Sequence, residues 1–214
     1  MKELNRRTFL TLSGASLAML ALSACGDGPA APEVPDPPPA SESKELALFQ
    51  AINEVWYEVN REVSHTTNEG YLNENLLYCQ EAADLAKYVA GPFEKYEPEI
   101  DENEGNFRLW YMERGEYLEY KNNIGYMMEA INDKYGSISS CLSPAGVNIS
   151  TNSGMELEQQ YPRSPSEVRE FVKYLAGPKG RVDREPVEWL IGLYCPTIKG
   201  KTYTVAVLVK HLLR

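Results

Sequence analysis

The sequence predicts an α+β fold in which helices cover both faces of a small, mainly antiparallel sheet, a three-layer α/β/α sandwich. Apolar residues recur every three or four positions in segments 44–63 and 166–176, as they do in amphipathic helices. Two strand-like runs, 187–195 and 202–209, are joined by a short turn, which favours an antiparallel hairpin. The second run is apolar on both faces, so we expect that strand to be central and covered on both sides.

The first 24 residues have the pattern of an export signal. Asn5-Arg6-Arg7-Thr8-Phe9-Leu10 is typical of twin-arginine signals, although the Arg-Arg pair also occurs in signals of the general secretory route. The apolar run 10–22 that follows is shorter than the roughly 20 residues needed to span a membrane. Leu22-Ser23-Ala24-Cys25 resembles the bacterial lipobox, in which the cysteine thiol is lipidated. We therefore expect Cys25 to anchor an extracytoplasmic protein to the cell membrane.

A Pro-rich segment, 25–43, separates this signal from residues 44–214 and has the composition of a semi-extended linker. The remaining chain suits a single domain of about 150–170 residues with a proper core. Without residues 1–24 the chain carries 18 basic and 30 acidic residues, a formal charge of −12. Such a charge argues against nucleic acid as a partner and against adhesion of the folded domain to anionic lipid.

The secondary structure of the middle of the chain, residues 72–135, is less clearly predicted by the sequence. Segment 72–90 predicts a second helix that ends at Gly91-Pro92, and segment 123–135 predicts a short third helix. Between them, residues 107–120 are rich in aromatic side chains and fit neither a helix nor a hairpin well. An aromatic stripe of this kind lines a ligand groove in some proteins, but it more often belongs to the core.

Four short motifs in the last third of the chain resemble, in order and separation, the second half of bacterial CAP domains (the SCP/TAPS family). That family has a Gly-Glu-Asn-Ile turn, a Ser-Pro-x-Glu helix start, a Gly-His-Arg after the helix and an Ile-Gly-Val-Gly-Tyr strand. The resemblance covers roughly residues 44–210, with a poorly matched middle from 93 to 120, and implies a CAP-like domain. The corresponding segments here are Gly146-Val147-Asn148-Ile149, Ser164-Pro165-Ser166-Glu167, Gly177-Pro178-Lys179-Gly180-Arg181 and Ile191-Gly192-Leu193-Tyr194.

The polar residues of the family's cleft are largely missing. That cleft gathers two His and two acidic residues, a set suited to a divalent cation or to acid–base chemistry. Here Val147 replaces the turn Glu, and the chain's two histidines, His65 and His211, lie outside the family's His positions. We therefore expect no catalytic residue, metal or cofactor. The residues expected to line the degenerate cleft are Asn148, Arg181, Glu129, Glu170, Trp110 and Tyr111.

Three cysteines remain once Cys25 is lipidated. Because three is an odd number, Cys79, Cys141 and Cys195 can form at most one intramolecular disulfide in an oxidising compartment. The resemblance implies that the turn before Asn148 lies near the strand end at Tyr194, so Cys141–Cys195 is the expected pair. Cys79 falls on the apolar side of the second helix and is expected to be a buried thiol.

These features favour a membrane-anchored lipoprotein whose CAP-like domain is a non-catalytic binding or interaction module. Its partner would be a small apolar ligand, an envelope component or another protein. The main alternative is an envelope hydrolase that uses a carboxylate such as Glu129, Glu167 or Glu170. A third possibility is a lineage-specific lipoprotein scaffold outside the CAP family.

Overall fold

Four helices and a set of short strands make up the part of the chain described by the structure, a computed structural model. The helices are α1 (Lys44–Ser64), α2 (Gln80–Lys95), α3 (Arg114–Tyr135) and α4 (Pro165–Ala176). Among the described residues, none of the helices has both the length and the apolar composition of a membrane-spanning segment. All of these residues belong to one compact unit, Ser41–Arg214. The structure describes residues 43–64, 71–72, 74–96, 99–100, 107–109, 114–136, 143–149, 155–177, 182–183 and 187–213.

The main sheet is small and mixed. Its four strands lie in the order β2 (Leu76–Tyr78), β9 (Val187–Tyr194), β12 (Val205–Leu212) and β5 (Ser143–Ala145). β2 runs parallel to β9, whereas the β9–β12 and β12–β5 pairs are antiparallel. Together with the four helices this is an α+β fold, as the sequence predicts. The finer expectation of a mainly antiparallel sheet has one parallel exception, at the β2 edge.

A second, fully antiparallel sheet has the order β3 (Glu99–Ile100), β4 (Phe107–Leu109), β7 (Met155–Leu157) and β6 (Val147–Ile149). Two further pairs complete the described strands. β1 (Tyr71–Leu72) pairs with β8 (Val182–Asp183), and β10 (Thr197–Ile198) pairs with β11 (Lys201–Thr202). The β10–β11 hairpin lies within the connection that joins the long strands β9 and β12.

The core consists of one hydrophobic cluster on each face of the main sheet. Successive side chains of a strand point to opposite faces. Val205, Val207 and Val209 of β12 accordingly join buried residues of α2 and α3. Ala206 and Leu208 join buried residues of α1 and α4. The prediction of a central strand covered on both sides is therefore confirmed, since β12 lies between β9 and β5.

Helices α1 and α4 begin and end close to the positions that the sequence predicts. At the start of α4, Ser164 Oγ accepts a hydrogen bond from the Glu167 backbone N–H at 3.3 Å, and the Glu167 carboxylate accepts one from the Ser164 N–H at 3.1 Å. This reciprocal pair is a capping box, which satisfies backbone N–H groups left free at a helix start. The helix ends at Gly177, whose φ of 73° suits glycine.

The prediction for α2 is wrong at both ends. Residues 76–78 form β2 beside β9, so the helix begins at Gln80. The helix also continues through Gly91 and Pro92 to Lys95. Gly91 lacks the Cβ that would clash with a following proline ring in a helix. Pro92 and Phe93 are buried, and their packing offsets the hydrogen bond that proline cannot donate.

The aromatic segment 107–120 divides between two elements. Residues 107–109 form β4, and α3 begins at Arg114, nine residues before the predicted start of the third helix. Within α3, Tyr117, Tyr120, Ile124 and Ile131 are buried at helical spacing. These aromatic residues thus belong to the core-facing side of a longer helix, and periodicity alone missed its first turns.

Candidate functional site

A groove of about 630 Å³ lies between α2 and α3. One face of each helix supplies a wall. Tyr88, Gly91 and Lys95 of α2 lie on the same side because they are three or four residues apart, and Glu116, Tyr120 and Asn123 of α3 are spaced in the same way. Another side of each helix packs into the core, and Tyr120 belongs to both, because it lines the groove and is only 4% exposed. Each helix therefore presents a mixed polar and aromatic stripe to the groove.

Close packing of α2 on the main sheet fixes one wall of the groove. Gly192 of β9 lies directly under the first turn of α2, where a Cβ at position 192 would come within 2.0 Å of the Ala83 backbone nitrogen. Ala82, Ala83 and Ala86 face the sheet and are buried. Small residues on both surfaces let the helix approach the strand closely, so the groove side of α2 has a rigid support.

The aromatic walls are held by stacking and hydrogen bonds. The rings of Tyr88 and Tyr120 stack, with centroids 5.6 Å apart and planes inclined by 17°. The Tyr120 hydroxyl donates to the Val89 carbonyl at 2.9 Å, and the Asn123 amide donates to the Tyr88 hydroxyl at 3.0 Å. Each ring is thus fixed by a neighbour.

Charged groups gather at the rim of the groove. Lys95 Nζ lies 2.7 Å from the Tyr96 hydroxyl and 3.6 Å from Glu116 Oε1, while the Tyr96 hydroxyl donates to Glu116 Oε2 at 2.8 Å. The Glu94 carboxylate accepts a hydrogen bond from the Tyr194 hydroxyl at 2.9 Å. The charged residues that line the groove are Asp84, Glu94, Glu116 and Glu119 against Lys87 and Lys95.

Two tyrosines at or next to the groove, Tyr120 and Tyr194, have a raised pKa. Burial raises the pKa of Tyr120 well above its usual value. Burial, followed by the hydrogen bond to Glu94, raises the pKa of Tyr194 to about 12. The described residues that line the groove include no Ser, Cys or His.

A second polar cluster ties the start of α2 to the end of α3. The Tyr135 hydroxyl donates to Glu81 Oε2 at 3.0 Å, the Lys134 ammonium bonds the other oxygen of Glu81, and Cys79 Sγ lies 3.5 Å from Glu81 Oε2. Burial is the main cause that raises the pKa of the Cys79 thiol. The prediction that Cys79 is a buried free thiol is confirmed. Its protonated state makes it a weak nucleophile.

His211 belongs to the edge of this cluster. Its Nδ1 lies 2.9 Å from Glu188 Oε2 on the paired strand β9, and its ring meets Tyr135 edge-on at 5.5 Å. His65, the other histidine, lies outside the described residues. Among the described residues no group of three or more His, Cys, Asp or Glu side chains is placed to hold a metal ion.

Three of the residues predicted to line a CAP-like cleft, Asn148, Glu129 and Glu170, lie in the described part of the chain. Asn148 lies in β6 of the second sheet, opposite Glu156. Glu129 is exposed on α3 and Glu170 is exposed on α4. These two helices pack against opposite faces of the main sheet, so Glu129 and Glu170 do not share a cleft. Cys25, Trp110, Tyr111, Cys141 and Arg181 lie outside the described residues.

Two of the carboxylates named for a hydrolase have structural partners. Glu167 accepts backbone hydrogen bonds from Arg163 at 2.6 Å and from Ser164 at 3.1 Å, and the first of these bonds is the main cause that lowers its pKa. Glu170 bonds Lys173 at 3.0 Å on the surface of α4. The Glu167 carboxylate therefore serves the helix start.

Cys195 is a buried free thiol, and Cys141, its expected disulfide partner, lies outside the described residues. Burial raises the pKa of Cys195 to about 12.

The groove was missed from the sequence, although a signal for it is present. Lys87, Tyr88 and Gly91 in one helix, and Glu119, Tyr120 and Asn123 in the other, are polar–aromatic stripes at helical spacing. Such a stripe is distinct from the apolar stripe that faces the core. The sequence does not show, however, that the two helices pack side by side, and only that packing makes the two stripes one site.

Comparison of this chain with family models, with curated proteins and with solved structures finds no match.

Proposed function

We propose that this protein is an exported, membrane-anchored lipoprotein whose folded domain is a non-catalytic binding module for a small organic ligand. The groove between α2 and α3 is the observation that carries the proposal. Its volume of about 630 Å³ falls within the roughly 300–1,000 Å³ typical of small-molecule sites. Fixed aromatic walls with a few polar groups at the rim are the usual composition of such sites.

The domain is proposed to be a CAP-like three-layer α/β/α sandwich. In support, α2 and α3 pack against one face of the main sheet, and α1 and α4 pack against the other. Two glycines of the motifs that resemble CAP domains, Gly146 and Gly192, occupy positions where a Cβ would overlap the backbone of another segment. The Ser164–Glu167 motif forms the capping box at the start of α4.

The proposed anchor is lipid attached to Cys25. The lipobox at residues 22–25 and the Pro-rich segment after it support this reading, since a tether directly after a lipidated cysteine lifts a domain off a membrane. The charge of −12 on the mature chain favours a solvated surface. The same charge disfavours a role in binding nucleic acid.

Binding is preferred over hydrolysis because the carboxylates named for hydrolysis do not converge. Glu129 and Glu170 belong to helices on opposite faces of the sheet, and Glu167 is engaged by two backbone N–H groups. General acid–base catalysis needs such groups within hydrogen-bond reach of one reacting centre.

The test fills the groove and leaves the rest of α3 unchanged. Asn123→Trp places an indole beside Tyr88, whereas Asn122→Trp makes the same substitution on the exposed side of the helix. The full-length protein is incubated with a small-molecule extract of bacterial envelopes and washed, and the released compounds are identified by mass spectrometry. We expect a compound retained by the wild type and by Asn122→Trp, and lost from Asn123→Trp. Equal retention by both variants would contradict a ligand site in the groove.

A further inference from the structure

Two neighbouring polar side chains in the groove keep hydrogen-bonding capacity that the protein does not use. The Asn123 amide donates to the Tyr88 hydroxyl oxygen at 3.0 Å, which leaves the Tyr88 hydroxyl hydrogen and the Asn123 carbonyl oxygen. Within the part of the chain that the structure describes, neither of these two groups has a hydrogen-bond partner. The groove therefore holds one donor and one acceptor side by side.

The other polar side chains of the groove are bonded to the protein itself or exposed at the rim. The Tyr120 hydroxyl donates to the Val89 carbonyl, and Lys95, Tyr96 and Glu116 bond one another. The remaining charged residues of the lining are exposed, namely Asp84, Lys87, Glu94 and Glu119. Tyr88 and Asn123 are half-buried, where a hydrogen bond competes less with water than it does at an exposed rim.

Packing holds the donor and the acceptor in place. The Tyr88 ring stacks on Tyr120 with centroids 5.6 Å apart, and its hydroxyl is fixed by Asn123. Groups that are already ordered cost little further conformational entropy when a ligand binds. Met127 lies one turn after Asn123 on the same side of α3 and also lines the groove. Its side chain offers apolar surface next to the polar pair.

A donor beside an acceptor is complementary to a ligand group that carries an acceptor and a donor on one edge. An amide with its C=O and N–H on the same side, as in a primary carboxamide, has this arrangement. A carboxylate has acceptors only, so it would set a negative oxygen against the Asn123 carbonyl oxygen. Four acidic side chains against two lysines in the lining repel an anion as well.

We propose that the groove binds a neutral carboxamide on an apolar body, whose C=O accepts from the Tyr88 hydroxyl and whose N–H donates to the Asn123 carbonyl oxygen. The inference rests on the proposed function and specifies the ligand class of the same site. A site built for a given hydrogen bond discriminates against an analogue that lacks the matching group, because one polar atom of the site is then left unpaired.

The experiment compares benzamide with acetophenone, which has a methyl group in place of the NH₂, and with benzoate, which has a carboxylate. Binding to the full-length protein in nonionic detergent is measured by titration, followed by the NMR chemical shifts of the protein. We expect benzamide to bind at least about fivefold more tightly than either analogue. Equal affinities, or no binding of benzamide, would overturn the inference.

Matched variants assign the two hydrogen bonds. Asn123→Leu removes the acceptor and should lower the preference for benzamide over acetophenone at least about fivefold, while Asn122→Leu on the exposed side of α3 should keep it. Tyr88→Phe keeps the ring and removes the donor, so it should weaken benzamide and acetophenone alike, by about three- to tenfold. Its control is Tyr126→Phe, because Tyr126 is 68% exposed and lies outside the groove.

The preference is compared between variants because partition of each compound into detergent is the same for all of them. The inference fails if Asn123→Leu keeps the preference of the wild type, or if Tyr88→Phe leaves both affinities unchanged.

The result is separable from the test of the proposed function. A compound without an amide that is lost from Asn123→Trp would leave the binding module standing and overturn the carboxamide class. Benzamide binding that survives Asn123→Trp would place the amide outside the groove and overturn this inference as well. Benzamide binding that is lost from Asn123→Trp and kept in Asn122→Trp supports both.

Discussion

Gly192 determines how closely α2 approaches the main sheet. A Cβ at this position would lie 2.0 Å from the Ala83 nitrogen and 2.1 Å from the Ala82 carbonyl carbon. Both are backbone atoms, so the contact cannot be relieved by a rotamer change. Gly146 is constrained in two ways, since its φ is +86° and a Cβ would come within 2.2 Å of the Thr204 carbonyl oxygen.

Replacing Gly192 by alanine should therefore destabilise the fold. We expect Gly192→Ala to lower the free energy of unfolding by about 2–3 kcal/mol, the cost of overpacking a rigid core. Gly125→Ala is the matched control: position 125 is an exposed site in α3, and its Cβ would meet nothing within 4 Å. That change should stabilise the protein by about 0.5–1 kcal/mol through helix propensity. Urea denaturation followed by circular dichroism measures both, and equal effects of the two changes would refute the close contact.

Among the elements, α4 has the clearest sequence-encoded boundary. Ser164→Ala, which removes the hydroxyl of the N-cap, should lower the free energy of unfolding by about 1 kcal/mol, the usual contribution of such a cap. Ser166→Ala, at the second residue of the helix, is the control, and its effect should be smaller although Ser166 Oγ lies 3.0 Å from Ser164 Oγ. Thermal unfolding at neutral pH measures the difference, and a larger effect for Ser166→Ala would contradict the assignment of the cap.

The same cap predicts a pH dependence. Backbone hydrogen bonds from Arg163 and Ser164 lower the pKa of Glu167 in the folded state. A carboxyl with a depressed folded pKa stabilises the fold above its unfolded pKa of about 4.3, and this stabilisation is lost as the pH falls through the folded value. Glu167→Gln should therefore lose less stability than the wild type on acidification below about pH 4.3. Denaturant midpoints between pH 2 and 6 test this, and parallel curves for the wild type and Glu167→Gln would contradict it.

The elements that sequence reasoning placed poorly are those whose ends depend on distant partners. Residues 76–78 join the sheet because β9 supplies parallel partners, and because the Asn53 side chain from α1 bonds both the N–H and the C=O of Leu76, at 2.8 and 2.9 Å. No pattern in the sequence around residues 76–78 predicts these contacts. The helix α4, in contrast, was placed within one residue, since its cap, its apolar stripe and its terminal glycine all lie within one segment.

At the scale of the whole molecule, Cys25 carries the prediction of a membrane anchor. Cys25→Ala removes the thiol that the lipobox supplies, so the protein should move from the membrane fraction to the soluble fraction. Lipid chains anchor proteins through the hydrophobic free energy of their buried CH₂ groups, about 0.8 kcal/mol for each. Fractionation with immunoblotting measures the distribution.

Cys79→Ala is the control for this anchor, because Cys79 lies in the folded domain at the start of α2 and should leave the protein with the membrane. Full retention of Cys25→Ala at the membrane would show that the lipobox is not used.

The sequence by itself determined the α+β class, helices α1 and α4 and the long hairpin of β9 and β12, because each depends on periodicity or capping within a short stretch. Tertiary structure alone decided the ends of α2, the start of α3, the free thiol of Cys195 and the groove between α2 and α3. These features depend on which distant segments meet and in what register. Lys95 and Glu116 illustrate this point, since 21 residues separate two side chains that lie 3.6 Å apart only once two helices have packed.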